Sequence, residues 1–337
     1  MTAHRNRQWR RFLGVVGLLW VLLGLSACAV SPEGAPPASR PFSSQAGPPT
    51  TPFLRIETGM HTAPIWRIDV DTKERYLVTA SHDKTARVWD LATGKLLKIL
   101  RPPIGSGSEG KVGPVAISPD GKTVAVGGRT GYEWDREYSI YLFDLDSGRM
   151  LRRIRGLPDG TYHLTYSHDG YYLAAALAGA NGIRIYNTID YSEAARDTAY
   201  GDNSQWIDFD HQGRLVTTSW DGYIRLYDAN FRLLAKQQVP DCKQPYTARF
   251  SPAGDKVAVG FFDSGGVKVL SAQDLAFLYA IDTEYPITTV AWSQDGQTLY
   301  GSECEQYGCT ILKWTQAGRG PYTRLPASQK TMAHIGF

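Results

Sequence analysis

Short runs of β-branched and aromatic residues return through the chain at near-regular intervals: "RVWD" ending at Asp90, "YLFD" at Asp144, "RIYN" at Asn187, "RLYD" at Asp228, "KVLS" at Ser271 and "LKWT" at Thr315. Their ends lie 54, 43, 41, 43 and 44 positions apart. A fixed period of this size constrains the fold more than composition does, because it means one supersecondary unit stacked on copies of itself. A second marker keeps step with the first: "SPDG" at Ser118, "SHDG" at Ser167, "DHQG" at Asp210, "SPAG" at Ser251 and "SQDG" at Ser293. Each follows a short apolar run, and Asp-Gly pairs favour tight turns because glycine enters positive φ cheaply. From Leu54 onward no run of ten or more residues keeps a convincing helical period, so the repeating part reads as all-β.

Each unit reads strand, turn, strand, polar loop, strand ending in an aromatic, glycine turn, strand. That is a four-stranded blade. The repeats resemble those of the WD-repeat (WD40) β-propeller family over about residues 53–337, with six recognisable blades and, in "TMAHIGF" (331–337), what looks like the first strand of a seventh. On this reading the chain encodes an incomplete ring or closes as a strained six-bladed one. The resemblance implies a buried hydrogen-bonded set in the first repeat made of His61, Ser81, Asp83 and Trp89, with the indole filling the space between blades. The set is internal cement, so its His, Asp and Ser are not read as a hydrolase triad. Other repeats depart from it. Repeat four keeps Asp221 without a matching loop His, and Phe143, Tyr186, Tyr227 and Val269 or Leu270 take the tryptophan's place, which leaves those blades to rely on packing.

Ahead of the repeats, a basic run (Arg5, Arg7, Arg10, Arg11), an apolar run from Phe12 to Leu25 and then small residues form the succession of an export signal. The apolar run is shorter than the roughly 20 residues a spanning helix needs. "LSAC", Leu25 to Cys28, resembles the bacterial lipoprotein box, which implies cleavage before Cys28 and acylation of its thiol, giving stable anchoring to a membrane. Residues 29–52 are rich in Pro, Ser, Gly and Ala and read as a mobile linker to the folded part. Removing residues 1–28 takes the formal charge from +3 to −1, a balance that points away from nucleic acid. The implied location is the bacterial envelope, lipid-anchored, with the outer membrane facing the periplasm favoured because Ala29 is not acidic.

No phosphate-cradling glycine loop, zinc-peptidase helix or nucleophile elbow occurs in the sequence, so no catalytic residue, cofactor or metal site is expected. Cys304 and Cys309 flank a four-residue loop between the second and third strands of blade six. In an exported chain such a pair is a candidate disulfide, with two free thiols or a metal site as the alternatives; Cys242 is left over. In this propeller geometry the loops before first strands and those between second and third strands share one rim. That rim is unusually aromatic, with Tyr132, Trp134, Asp135 and Arg136 on a long insertion and Tyr162, Trp206, Trp220, Tyr223, Tyr246, Tyr285 and Tyr307 on the other loops. Several of these are expected to pack between blades. Aromatic anchors among charges suit a protein partner, so the first reading is a non-enzymatic, membrane-tethered interaction scaffold. The alternatives are the regulatory or substrate-binding propeller of an enzyme, such as a caspase-like peptidase, whose catalytic domain is absent, and a small-molecule or glycan binder.

Overall fold

Among the described residues the strands within each sheet pair with their sequence neighbours, antiparallel, with no crossover. The computed structural model describes residues 58–305 and 308–325. Blade one is β1 (Ile65–Val70), β2 (Tyr76–Ser81), β3 (Thr85–Asp90) and β4 (Leu96–Leu100), and blade two is β5 (Lys111–Ile117), β6 (Thr123–Arg129), β7 (Tyr138–Asp144) and β8 (Met150–Leu157). Blade three is β9 (Thr161–Tyr166), β10 (Tyr172–Leu177), β11 (Ile183–Asn187) and β12 (Glu193–Asp197), and blade four is β13 (Ser204–Phe209), β14 (Leu215–Ser219), β15 (Tyr223–Tyr227) and β16 (Leu233–Gln238). The rest is one 7-stranded sheet: β17 (Pro245–Phe250), β18 (Lys256–Phe261), β19 (Gly265–Ser271), β20 (Phe277–Trp292), β21 (Leu299–Glu305), β22 (Gly308–Trp314) and β23 (Tyr322–Leu325).

The single long strand β20 explains that sheet. Its first part pairs with β19 as the outer strand of blade five, and its last part, Ile287 to Trp292, pairs with β21 as the inner strand of blade six. The loop expected between the two blades is extended backbone instead, and Gly265 and Gly266 both oppose Pro286 across it. Gly266 sits at φ +88, and a Cβ there would collide with the Ile281 carbonyl, so only glycine admits this approach. Among the described residues six blades of four strands result.

The first strands β1, β5, β9, β13, β17 and the last part of β20 are neighbours in that order, which places them around a central channel. Apolar clusters fill the seams between consecutive blades, for example Val78, Val88, Val124 and Tyr141 between one and two, and Val216, Ile224, Val257 and Phe261 between four and five. Between blades six and one, Gln294 donates to Glu74 at 3.0 Å, turn to turn. The "SxDG" markers form the inner turns: the Ser118 hydroxyl donates to Asp120 and accepts the Thr123 amide at 2.9 Å, and Ser167 and Ser293 repeat the arrangement.

The long insertion contains one helical turn, α1 (Tyr132–Asp135), rather than loop alone. The loop expected between Cys304 and Cys309 is shorter than read from the sequence, because the β21–β22 ladder runs past both cysteines to Glu305 and Gly308. Cys28, the 29–52 linker, Tyr307, the side chains of Cys304 and Cys309, and the 331–337 segment lie outside the described residues. Among the described residues no helix is long and apolar enough to cross a membrane.

Candidate interaction rim and central channel

Blade one is pinned by a chain of hydrogen bonds that differs from the sequence expectation at one member. Trp89 Nε1 donates to Thr79 Oγ1 at 2.9 Å, Thr79 Oγ1 meets His61 Nε2 at 2.7 Å, and His61 Nδ1 meets Asp83 Oδ2 at 2.8 Å. Thr85 closes the far end by donating to Asp83 Oδ1 at 2.6 Å. A carboxylate only accepts, so His61 Nδ1 donates to Asp83; the Trp89 N–H donates to Thr79, whose single hydroxyl proton serves Nε2 when the imidazole is neutral. The bridging hydroxyl therefore belongs to Thr79, not Ser81. Ser81 lies two residues further along β2, on the same face but beyond reach of the indole. It donates to the Ala63 carbonyl at 2.9 Å and accepts the Asp83 amide at 3.1 Å. Burial alone would raise the Asp83 carboxyl, but the bonds from His61 and Thr85 outweigh it and hold the group well below the usual carboxylate range.

Blade four does not rely on packing alone. Tyr200 stands where blade one has its loop histidine, with its hydroxyl 2.7 Å from Thr217 Oγ1 and 2.9 Å from the Tyr227 hydroxyl. Tyr227 in turn donates to Asp197 at 2.8 Å. Asp221 accepts Arg225 Nη1 at 3.1 Å and the Gly201 amide at 3.0 Å, and the Arg225 guanidinium lies 3.8 Å from the centre of the Tyr200 ring. Burial pushes the Tyr200 phenol up to about 12, so the network stays neutral at its phenols.

Side chains from opposite blades fill the channel in two layers. Towards the inner turns, Asp69 accepts the Ile117 amide of blade two at 2.8 Å, and Asp208 accepts the Phe250 amide of blade five at 2.9 Å. Each aspartate thus staples its blade to the next, and Arg249 donates to Asp208 at 2.9 Å. Burial pushes the Asp69 carboxyl up to about 6, against the bonds from Ile117 and Val70 and the charge of Arg249. Towards the opposite mouth, Arg67, 1% exposed, crosses from blade one to blade four and donates to the Gln205 carbonyl at 3.3 Å. Its guanidinium lies 4.6 Å from the centre of Trp206 and 5.2 Å from that of Tyr246, and His163 stacks on the same indole at 3.8 Å.

The expected rim residues divide. Trp206 is fully buried beneath Arg67 and belongs to the channel, not the rim. Asp135 is likewise no free rim charge: Arg153 and Arg155 of β8 clamp it at 2.7 and 3.0 Å. Tyr223 is half-buried under the Lys236 ammonium, 4.0 Å from its ring. Trp134, Tyr162, Trp220, Tyr246 and Tyr285 are half-buried, whereas Tyr132 and Arg136 are exposed, with Tyr132 stacked on Tyr138 at 5.2 Å. Three surface groups were missing from the sequence reading. Trp66 stacks on His82 at 5.0 Å, Lys111 and Arg129 stand side by side, and Phe262, 54% exposed, leans on Trp220 and Tyr246. Trp66 is the second residue of β1 and Phe262 follows the end of β18, so each falls at a strand end that faces this rim. Among the described residues no group of three or more His, Cys, Asp or Glu could hold a metal ion, and Cys242 is buried with the Ser264 hydroxyl 3.2 Å from its sulfur.

Residues 55–90 and 199–228 match the WD domain, G-beta repeat family. These stretches contain the two polar networks just described, apart from Asp197. The fold is a WD40-type β-propeller. Similar curated proteins include small ribosomal subunit protein RACK1 of Caenorhabditis elegans, 27% identical over 49% of this chain and 50% of that protein. Small ribosomal subunit protein RACK1y of Oryza sativa subsp. japonica is 33% identical over 30% of this chain and 26% of its own length. The ciliary WD repeat-containing protein ctxp80 of Euplotoides octocarinatus is 28% identical over 46% of this chain and 21% of its own. The chain thus spans half or less of the length of these relatives. The WD40-type propeller ties His61, Thr79 and Asp83 of blade one into its interior and presents aromatic faces and the Lys111 and Arg129 charges at its rim.

Proposed function

We propose that this chain is a non-catalytic protein-interaction platform that binds its partner on the rim carrying Trp66, His82, Tyr132 and Phe262. The observation that carries the reading is the contrast within the molecule. The acid, imidazole and hydroxyl groups of blade one are locked in a relay, while Tyr132, 42% exposed, and Phe262, 54% exposed, present aromatic surface at the rim beside the half-buried Trp66 and His82. Aromatic anchors on a rigid support bind proteins with little loss of side-chain freedom. The succession of basic, apolar and small residues ending at Cys28 supports a lipid-tethered protein of the bacterial envelope, with the 29–52 linker holding the propeller off the outer membrane on its periplasmic side. Affinity capture of the tagged protein from its native envelope tests the platform. A defined protein retained by the parent, lost with Phe262→Asp and kept with a substitution on the inner-turn side, such as Tyr171→Asp, is expected. Capture that does not respond to the rim substitution overturns the reading. Fractionation of Cys28→Ala tests the tether, which fails if the variant keeps both its membrane partition and its mature mass.

A further inference from the structure

Lys111 opens β5 and Arg129 closes β6, and the two are direct cross-strand partners at the rim end of blade two. Like charges placed directly opposite one another destabilise a sheet. Among the described residues neither side chain makes an ion pair or a hydrogen bond, and the nearby carboxylates accept backbone amides rather than pairing with them directly. Glu109 accepts amides at the start of α1, including Glu133 at 3.1 Å, Glu133 accepts the Ser106 amide at 3.0 Å, and Asp159 accepts the Gly160 amide at 2.7 Å. His82 of the neighbouring β2–β3 loop feels the same charge: burial first, then Lys111 and Arg129, hold its imidazole below the ordinary histidine value. Beside this directly unpaired cationic pair lies an apolar platform. A Cβ at Gly113 would meet Trp66 at 3.3 Å, so the glycine is what lets the indole lie close over β5 while stacked on His82.

Resting on the platform reading above, we propose that the rim over blades one and two docks an acidic segment of the protein partner, its carboxylates on Lys111 and Arg129 and an apolar side chain on Trp66. The partner supplies the counter-charge that the chain withholds from this pair. The probe is fluorescein-labelled Glu-Glu-Phe-Glu-Glu, compared by anisotropy with its glutamine and lysine analogues against the full chain. Only the acidic peptide is expected to bind, about tenfold more weakly at high salt and about tenfold more weakly to Lys111→Gln/Arg129→Gln. That variant melts no lower than the parent, because it relieves a like-charge pair. Trp66→Ala weakens the acidic peptide but not penta-glutamate. Equal binding of the glutamine analogue, or indifference to the double substitution, overturns the proposal. Displacement by heparin as efficient as by unlabelled acidic peptide also overturns it, since it marks a general polyanion surface. If the double variant still captures the native partner, this inference falls and the platform stands; if no rim variant changes capture, the platform falls with it.

Discussion

At the residue scale, the relay of blade one separates two hydroxyls that the sequence could not. Thr79 and Ser81 share a face of β2 because side chains repeat every second residue, and only the height of the Trp89 indole selects between them. Thr79→Val leaves both the Trp89 N–H and His61 Nε2 without a partner and is expected to cost about 1–3 kcal/mol, whereas Ser81→Ala costs about 1 kcal/mol. Denaturant melts of the two variants check this, and an equal or reversed order would return the bridging role to Ser81. Two aspartates carry opposite pH signatures. Asp83 titrates below its unfolded value, so its contribution is complete above about pH 4 and is lost as pH falls through the depressed value. Asp69 is pushed up to about 6, so its charged form opposes folding above that pH, and the penalty fades as pH falls from 6 towards 4. Asp69→Asn keeps an acceptor for the Ile117 amide and removes the charge. It is expected to raise the melting temperature at pH 7.5 and to flatten the stability profile between pH 4 and 6; a fall at pH 7.5 would show that attraction to the Arg249 charge dominates.

At the element scale, blades one and four are built alike. Asp69, Asp71, Arg75, Thr79, Asp83, Arg87 and Trp89 find their counterparts in Asp208, Asp210, Arg214, Thr217, Asp221, Arg225 and Tyr227, each 138 or 139 positions on. Asp71 and Asp210 both take the arginine four residues later, and Asp69 and Asp208 both staple the following blade. The period, the four-stranded unit and the inner turns were legible from the sequence because they depend on local chemistry: glycine at positive φ, serine and aspartate in turns, alternation in strands. The blade-four network was not, because Tyr200 replaces a histidine and reaches Thr217 only through three-dimensional proximity. The continuity of β20 was hidden for a related reason, since "DTEYP" carries turn-forming residues that the ladder overrides. Tyr200→Phe and Tyr227→Phe should each cost about 1–2 kcal/mol, and the double variant less than the sum, because one bond between them is lost in both. Full additivity in a double-mutant cycle would argue against the shared hydroxyl pair. The β21–β22 ladder places Cys304 directly opposite Cys309. Cross-strand partners lie within the Cα separation a disulfide tolerates. Peptide mapping without reductant is expected to recover them linked; finding both thiols alkylatable in protein isolated without reductant would refute the bridge.

At the scale of the whole molecule, the question raised by the sequence was how the ring closes. Among the described residues the channel is spanned, Arg67 reaching from blade one to blade four, and the inner turns of blades six and one touch through Gln294 and Glu74. Consecutive blades elsewhere share five apolar clusters. The inner strand of blade one differs from its counterparts. Ile65 is 37% exposed and Ile68 and Val70 are half-buried, whereas every residue of β13 is buried. Burial of apolar surface is what resists opening, at about 25 cal/mol per Å², so the seams are not equally strong. The Arg67 crossing ties β1 across the channel to blade four, and the relay ties the segment ahead of β1, at His61, to β2 and the β2–β3 turn. Local opening should start at this seam, in keeping with the general link between sparse apolar contact and low local stability. Hydrogen exchange followed by mass spectrometry on the full chain is expected to show faster exchange in β1 and β21 than in β9, β10, β13 and β14, and Arg67→Ala should widen that difference by releasing β1 from blade four. Protection that is uniform around the ring, or unchanged in β1 by loss of Arg67, would mean that closure is as firm as any other seam and that the channel crossing serves packing alone.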